Sequence, residues 1–535
     1  MGEYDEDGGL NFLLPLSLFF AAGIWLVINR FQSFHNRAVP FRLAPPPEIG
    51  PRFEAHKIPN PNLESHQLYP ELRPSIFVEG VRYITCFDPA TGFHLATLPA
   101  DNAGQITNKI ARAADAQKEW KKTSFRDRRR VMLSLKKWLV DNQETCARVA
   151  CRDTGKTLLD AALGEILTTC SKLDWLINHG ERHLRPERRR GNLLMFYKKS
   201  WVCYEPLGVV AAIVSWNYPL HNAWSPIIAA LFSGNAIVLK CSENVVWSTT
   251  WFVNAIRECL CACGRDPELI QLVCCYPEDA DAVTRSSIIR HITFIGSEEV
   301  GRKVAVAATE HLTPVTLELG GKDPAIIMPH TNLKQWSSLW MRGIFQNAGQ
   351  NCIGLERLIV HSSQYDELHD IIRRRTEELR CGSALSNPGR YTEELVQLAA
   401  DAGLEVQGGE RYKHPYLEHG AYFTPTVIGD GNPEKEYAQQ ELFAPVALII
   451  KYETIQEAID IANGTRQDLP FGGTKSSGYG RLAIVEDRFG WAIQTTIPKQ
   501  LTTLEFVSGL IGFVYGDSWR TRIESLTQLI QASRR

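Results

Sequence analysis

The chain has 535 residues, 44% of them hydrophobic, with 58 Lys and Arg against 60 Asp and Glu. That length and apolar fraction fit two to four domains with real cores, which excludes a disordered tail, a fibrous repeat and a disulfide miniprotein. A net charge of -2 carries no basic excess, so nucleic-acid binding starts without support.

Residues 10–28 form an uncharged run of 19 residues, long enough to span a bilayer as a helix. Glu3, Asp5, Glu6 and Asp7 precede it, and Arg30, Arg37 and Arg42 follow it. A secretory signal has the opposite charge order. Positive charge on the C-terminal flank predicts one transmembrane helix after a short tail (1–9), with the bulk of the chain facing the cytosol. A cleaved signal or a buried core helix is the competing reading. Residues 29–61, Pro-rich beyond Arg42, read as a linker.

Thirteen cysteines are scattered along the chain. Cys259, Cys261 and Cys263 cluster, and Cys274 and Cys275 are adjacent, but none has the paired spacing with His that zinc requires. An odd, dispersed set suits a reducing compartment.

From about 106 to 177 apolar residues recur at three- and four-residue spacing, which predicts helices. Arg128, Arg129 and Arg130 read as a solvated helix face. After Arg190 the texture changes to strand-like runs: "LLMFYKKSWVCYE", "GVVAAIVSW", "AIVLK", "IQLVCC", "HITFIG", "PVTLELGG" and "PAIIM". Helical stretches at 247–261 and 277–286 separate several of them. Buried runs alternating with helices predict a parallel α/β sheet, and such sheets bind ligands at the carboxyl ends of their strands.

The strand ends therefore hold the candidates. Asn217 follows "IVSW" and offers an amide donor for an oxyanion, or else caps the next helix. Lys240 and Glu243 follow "VLK", where they could bracket ribose hydroxyls or form a plain surface ion pair. "FIGSEEVGRK" turns from a strand into a helix through Gly296 and Ser297, with Gly301 beyond; helix N-termini of this kind accept phosphate. Glu318 sits inside an apolar run, where burial would raise its pKa toward that of a general base, unless it pairs with a cation. Cys352 lies in the small, polar "FQNAGQNCIG", more accessible than a strand cysteine, though a single Cys is more often a buried thiol.

In this order these segments closely resemble the aldehyde dehydrogenase superfamily, with "QELFAPV" at 440–446 and "PFGGTKSSGYGR" at 470–481 extending the likeness. The apolar N-terminus and C-terminal extension resemble its fungal membrane-anchored branch, labelled meiotic sister-chromatid recombination aldehyde dehydrogenase-like. The resemblance implies a Rossmann-like NAD-binding domain (62–317) with a bridging hairpin near 193–204 for homo-oligomerisation. An α/β catalytic domain (318–481) and a C-terminal extension (482–535) would follow. It further implies that Cys352 attacks an aldehyde as thiolate and forms a thioester, that Asn217 holds the oxyanion, and that Glu318 activates the hydrolytic water. Trp216, Lys240, Glu243, Gly296, Ser297 and Gly301 would contact the adenosine and pyrophosphate of NAD. Glu441 would hold the nicotinamide ribose with Phe443 nearby. No metal and no nucleic acid are implied. The implied location is a membrane, that of the endoplasmic reticulum, with lipid contact through the N-terminal helix.

The sequence departs from the family pattern in four places. Ala444 replaces a usual Gly. Family text is missing near "NPGRYTEELV" and after "GYGR". Residues 463–469 have room only for a loop where the family has strand, helix and strand. A wrongly joined coding sequence or a decayed relative accounts for the gaps, and the alternative function is a catalytically impaired protein with a binding or assembly role. Residues 501–519 read as an interfacial helix.

Overall fold

The structure is a computed structural model that describes residues 37–57, 75–78, 80–189, 199–385, 420–434 and 436–465, with short strands at 467–468, 474–475 and 478–479. The expected transmembrane helix (10–28), the tip of the hairpin and the helix expected at 501–519 lie outside these residues. Among the described residues no helix is long and apolar enough to cross a membrane.

Residues 37–57 were expected to be linker, yet they lie against the folded core. Phe41 stacks on Trp138 with ring centroids 5.4 Å apart, the Trp251 indole donates to the Ala44 carbonyl at 2.9 Å, and Ser134 Oγ accepts from the Val39 N–H at 2.8 Å. Arg148 and Arg152 donate to the carbonyls of Ile49 and Glu48. These partners stand about a hundred residues or more away in sequence, so local composition alone could not reveal them.

A three-stranded antiparallel meander comes next, made of β1 (Ser75–Val78), β2 (Val81–Phe87) and β3 (His94–Pro99). The helical region then divides into Ala103–Trp120, Phe125–Asp141 and Gln143–Thr154. Asn102 with Gln105 and Ser124 with Asp127 form reciprocal capping boxes at the first two helix starts. Gly155, at φ 72°, ends the third helix in the left-handed conformation that glycine adopts without penalty. From Leu158 to His183 helix continues, with two π-helical segments at Ala161–Leu167 and Leu176–Gly180.

The three arginines at 128–130 are not one solvated face. Arg128 is buried and donates to the carbonyls of Lys121 and Phe232 and to Thr123 Oγ1. Its guanidinium lies against Gly234, where an added Cβ would come within 2.7 Å of it. Arg129 pairs with Glu181 at 2.5 Å. Both contacts cross between helices, which a single-helix pattern cannot show.

A short hairpin pairs β4 (Glu187–Arg189) with β5 (Ser200–Val202). The apolar runs that follow form β6 (Val209–Ile213), β7 (Ala236–Lys240), β8 (Ile270–Val273), β9 (Ile289–Ile295) and β10 (Val315–Glu318). All residues of β6, β7 and β8 are buried, which is why these strands read as continuous apolar runs rather than alternating ones. The five are parallel, in the order β10-β9-β6-β7-β8. Chain order thus reverses between β6 and β9, and the carboxyl ends at that switch point form the crevice where open α/β sheets bind ligands. The stretch expected as a helix at 277–286 holds only two short turns, Pro277–Asp279 and Asp281–Thr284.

A second parallel sheet begins with β11 (Asp323–Ile327) and adds β12 (Leu355–His361), β13 (Thr426–Ile428) and β14 (Val446–Tyr452) in the order β11-β12-β14-β13. Helices Leu333–Phe345, Tyr365–Glu377 and Ile455–Asn463 pack beside it. Its edges, β11 and β13, have no outer partner among the described residues.

Two details differ from expectation near the C-terminus. Residues 463–469 were expected to hold only a loop, but Gln467–Asp468 (β15) pair with Thr474–Lys475 (β16). Gly478–Tyr479 (β17), expected in the catalytic domain, pair antiparallel with β10 and so extend the first sheet.

Candidate active site

Asn217 and Cys352 come from different sheets and meet at the switch point. Asn217 lies four residues past the end of β6 and is 2% exposed. It does not cap the helix Pro219–Phe232, whose N-cap is Tyr218 and carries no side-chain cap. Its Oδ1 accepts from Ser215 Oγ at 2.7 Å and from Asn222 Nδ2 at 3.2 Å. That fixes the amide with Nδ2 turned toward the nucleophile loop, where one N–H meets the Gln350 carbonyl at 3.1 Å. Among the described residues the second N–H of Nδ2 has no partner, which leaves it for a ligand oxygen.

The loop that carries Cys352 is strained. Asn347 and Ala348 have φ of 55° and 54°, and Gly349 has φ 72°. Left-handed backbone costs a residue with a Cβ about 1–2 kcal/mol, so the two residues at 347–348 hold this shape only because their surroundings dictate it. Asn347 Nδ2 donates to the Gln350 carbonyl at 2.8 Å and to the Asn217 carbonyl at 3.2 Å, while its backbone N–H donates to Asp160 at 3.2 Å. A Cβ at Gly349 would stand 2.0 Å from the Ala444 carbonyl oxygen, so the Cys352 loop abuts the turn that carries Ala444.

Glu318 ends β10 and stands beside the Cys352 thiol, close enough for each to shift the other's titration. Burial pushes its carboxyl up to about 7, and the neighbouring Cys352 thiol opposes that rise. Among the described residues no cation pairs with it. The Cys352 thiol is held well above its ordinary value, first by burial and then by the Glu318 charge, with Glu441 and Asp323 adding to the effect. Burial favours the thiol form of Cys352, and Glu318 stands beside it to take its proton.

The remaining candidates fall into two groups. Lys240, which ends β7, and Glu243 just beyond it have Nζ and carboxylate 3.2 Å apart, with Lys240 only 7% exposed. Gly296 and Ser297 lead from β9 into the helix Glu298–Ala308, and Ser297 spends no side-chain bond on capping it. Gly301 sits where a Cβ would approach Leu319 to 2.6 Å. The acidic first-turn residues Glu298 and Glu299 turn to Arg302 and Lys303. Glu441 packs on the glycine pair after Glu318. A Cβ at Gly320 would stand 1.7 Å from its Oε2, and Gly321 N–H points to its Oε1 at 3.4 Å. Burial raises the Glu441 carboxyl to about 7, with Glu356 adding to the rise. Phe443, at φ 51°, meets Trp216 edge-on with ring centroids 5.8 Å apart.

Several residues in this assembly went unread in the sequence. Glu356 accepts from Lys322 at 2.5 Å and from the backbone N–H groups of Leu442 and Phe443, so it seats the Glu441 turn. Asp323 is buried, and desolvation with the nearby Glu356 and Glu441 charges raises it to about 8. The "GGKD" text after Glu318 was the available signal for Lys322 and Asp323. Glu356 had none, since its partners lie in other segments. Among the described residues no group of acidic, His and Cys side chains is arranged to hold a metal.

The chain matches the model of the aldehyde dehydrogenase family across residues 77–469. An aldehyde dehydrogenase-like protein of Schizosaccharomyces pombe is 41% identical over 515 residues, covering 83% of this chain and 98% of that protein. One from Saccharomyces cerevisiae is 40% identical over 534 residues, covering 84% and 83%. In both cases the aligned span is longer than the share of this chain that fills it, so these relatives carry positions with no counterpart here. A crystal structure of a Mycobacterium tuberculosis aldehyde dehydrogenase complexed with NAD+ superimposes with TM-score 0.66 at 28% identity, covering 75% of this chain and 91% of that one.

Proposed function

The chain belongs to the aldehyde dehydrogenase family, and from that premise we propose that it oxidises an aldehyde to a carboxylic acid with NAD through a thioester on Cys352. One observation carries the reading: the Asn217 amide donates to the loop that carries Cys352, and Glu318 at the end of β10 stands beside the Cys352 thiol. A nucleophile, its base and an oxyanion donor thus converge from three segments.

The residues fit a dinucleotide. Lys240 and Glu243 suit an adenosine ribose, and Glu243 would repel a 2′-phosphate. The uncapped turn at Gly296–Ser297 suits a pyrophosphate. Glu441, seated by Gly320 and Gly321 and two residues before Phe443, whose ring meets Trp216, suits the second ribose. Hydride acceptance is the chemistry that NAD supplies when bound.

In this mechanism Glu318 takes the thiol proton, and the sulfur forms a bond to the aldehyde carbon. The carbonyl electron pair moves to oxygen, where the free Asn217 N–H and the Cys352 backbone N–H hold it. Loss of hydride from that carbon leaves the thioester. Glu318, having passed its proton to solvent, removes one from water as the water oxygen attacks the acyl carbon. The thiolate departs and the acid is released. A base in this position favours hydrolysis over transfer to coenzyme A.

The proposal includes an anchor at residues 10–28 in the endoplasmic reticulum membrane, with the folded part in the cytosol. Its support is the uncharged run and its basic flank. An anchor at a bilayer favours an apolar aldehyde, and homo-oligomerisation through the β4–β5 hairpin belongs to the same reading. The test is detergent-purified full chain with NAD and a panel of short and long aldehydes. NADH appearing with the long ones supports the proposal. Folded protein giving no NADH with any of them overturns it.

A further inference from the structure

Next to the oxyanion donor lies an ion pair that the mechanism does not use. Lys156 Nζ and Glu165 Oε1 are 2.7 Å apart with side chains 0% and 1% exposed. Burying two charges costs desolvation that their attraction rarely exceeds, so such a pair is weak evidence for stability. Its bonds instead converge on one turn. Lys156 Nζ donates to the Asn217 carbonyl at 2.7 Å and lies 4.1 Å from the centre of the Tyr218 ring. Glu165 Oε2 accepts from the backbone N–H groups of Leu220 and His221 at 3.0 and 2.9 Å. It thereby supplies to this helix the cap that its N-cap residue lacks.

The sequence builds this device locally. Gly155 ends a helix and turns Lys156 inward. The π-helical segment Ala161–Leu167 brings Gly164 so close to Tyr218 that a Cβ there would stand 2.5 Å from the ring, and Glu165 reaches the turn beside it. Single π-helical turns recur at functional sites. The Asn217 carbonyl also accepts from Asn347 of the nucleophile loop, so one peptide group is clamped between the ion pair and the Cys352 loop.

Resting on the function proposed above, we infer that Lys156 and Glu165 are positioning residues that hold the Asn217 amide at the site of the developing oxyanion. They touch no reacting atom and act through the 217–221 backbone. Removing one oxyanion donor outright slows catalysis by about 10²–10³, so loosening it should cost roughly tenfold or more.

The test uses the full chain and two readouts. Lys156→Met alone leaves a buried carboxylate unpaired, so the main variant is the apolar pair Lys156→Met with Glu165→Leu. The single change Glu165→Gln serves if the double variant does not fold. The first readout is the pre-steady-state NADH burst with octanal. The second needs no hydride transfer: it is the octanal concentration that halves alkylation of Cys352 by iodoacetamide, read on the Cys352 peptide by mass spectrometry. Reversible addition of the aldehyde to the thiol creates the same oxyanion. The inference predicts a burst slowed at least tenfold and at least tenfold more octanal for protection, with NAD affinity unchanged. Equal protection in folded variant and native chain overturns it, as does the absence of protection in the native chain. If the native chain gives no NADH but octanal protects it and not the variant, the function proposal fails and the positioning inference stands.

Discussion

Replacing Glu318 by Gln keeps the shape of the side chain and removes its charge. Burial raises the Glu318 carboxyl from its ordinary 4.5 to about 7. A group whose pKa is raised by folding favours the folded state most below its unfolded pKa, and that contribution disappears as pH climbs through the folded value. Between pH 4 and pH 8 the native chain should therefore lose stability at this site. The shift, at 1.36 kcal/mol per unit, sets a ceiling near 3.4 kcal/mol, and partial solvent contact lowers the expected loss to about 2 kcal/mol. Glu318→Gln lacks that term. Urea melts of both proteins at pH 5 and pH 8 measure it: the variant should gain about 2 kcal/mol relative to the native chain on going to the higher pH. In turnover the same change should lower hydrolytic kcat by about 10²–10⁴, the usual contribution of a positioned base. Native kcat/KM should rise with pH through about 7, where the Glu318 carboxylate forms. A stability difference that does not change with pH would refute the buried-carboxylate argument.

Three other substitutions probe neighbouring contacts. Glu356→Ala removes the seat of the Leu442–Phe443 turn and leaves buried Lys322 unpaired. It should cost about 3–5 kcal/mol in a urea melt, and any folded fraction should show a raised KM for NAD. Gly349→Ala places a Cβ 2.0 Å from the Ala444 oxygen at φ 72°. It should destabilise the Cys352 loop by more than the roughly 1 kcal/mol of left-handed strain and abolish the NADH burst. Glu243→Gln removes the charge facing the adenosine ribose, so the preference for NAD over NADP, taken as the ratio of kcat/KM values, should fall by about tenfold or more.

The central strands β6, β7 and β8 were legible because they are buried on both faces and so read as unbroken apolar runs. Their carboxyl ends were legible for the same reason: a polar residue after such a run has few places to go except the crevice. Glu318 stood out as a charge inside a buried run. What escaped was made by pairing across long sequence separations. Arg128 reads as one of three surface arginines until Gly234 and the Phe232 carbonyl are brought beside it. Residues 37–57 read as linker because nothing local tells that Trp138 and Trp251 receive them. Lys156 and Glu165 are unremarkable in a helical pattern, since the π-helical segment that aligns them with the Asn217 turn has no compositional mark. The surroundings of Cys352 were hidden for a related reason: burial and then the Glu318 charge, 34 positions earlier, raise the pKa of its thiol.

The central claim is that Cys352 carries the acyl group and Glu318 releases it. Full chain carrying Glu318→Gln, mixed with NAD and octanal and quenched in acid once NADH has levelled off, should yield a Cys352 peptide heavier by one octanoyl group, together with one NADH per active site formed more slowly than in the native chain, because the thiol proton must then leave to water. Cys352→Ala should yield neither. An unmodified Cys352 peptide in the Glu318→Gln protein, with NADH still formed, or an acyl group on any other cysteine, would contradict the account.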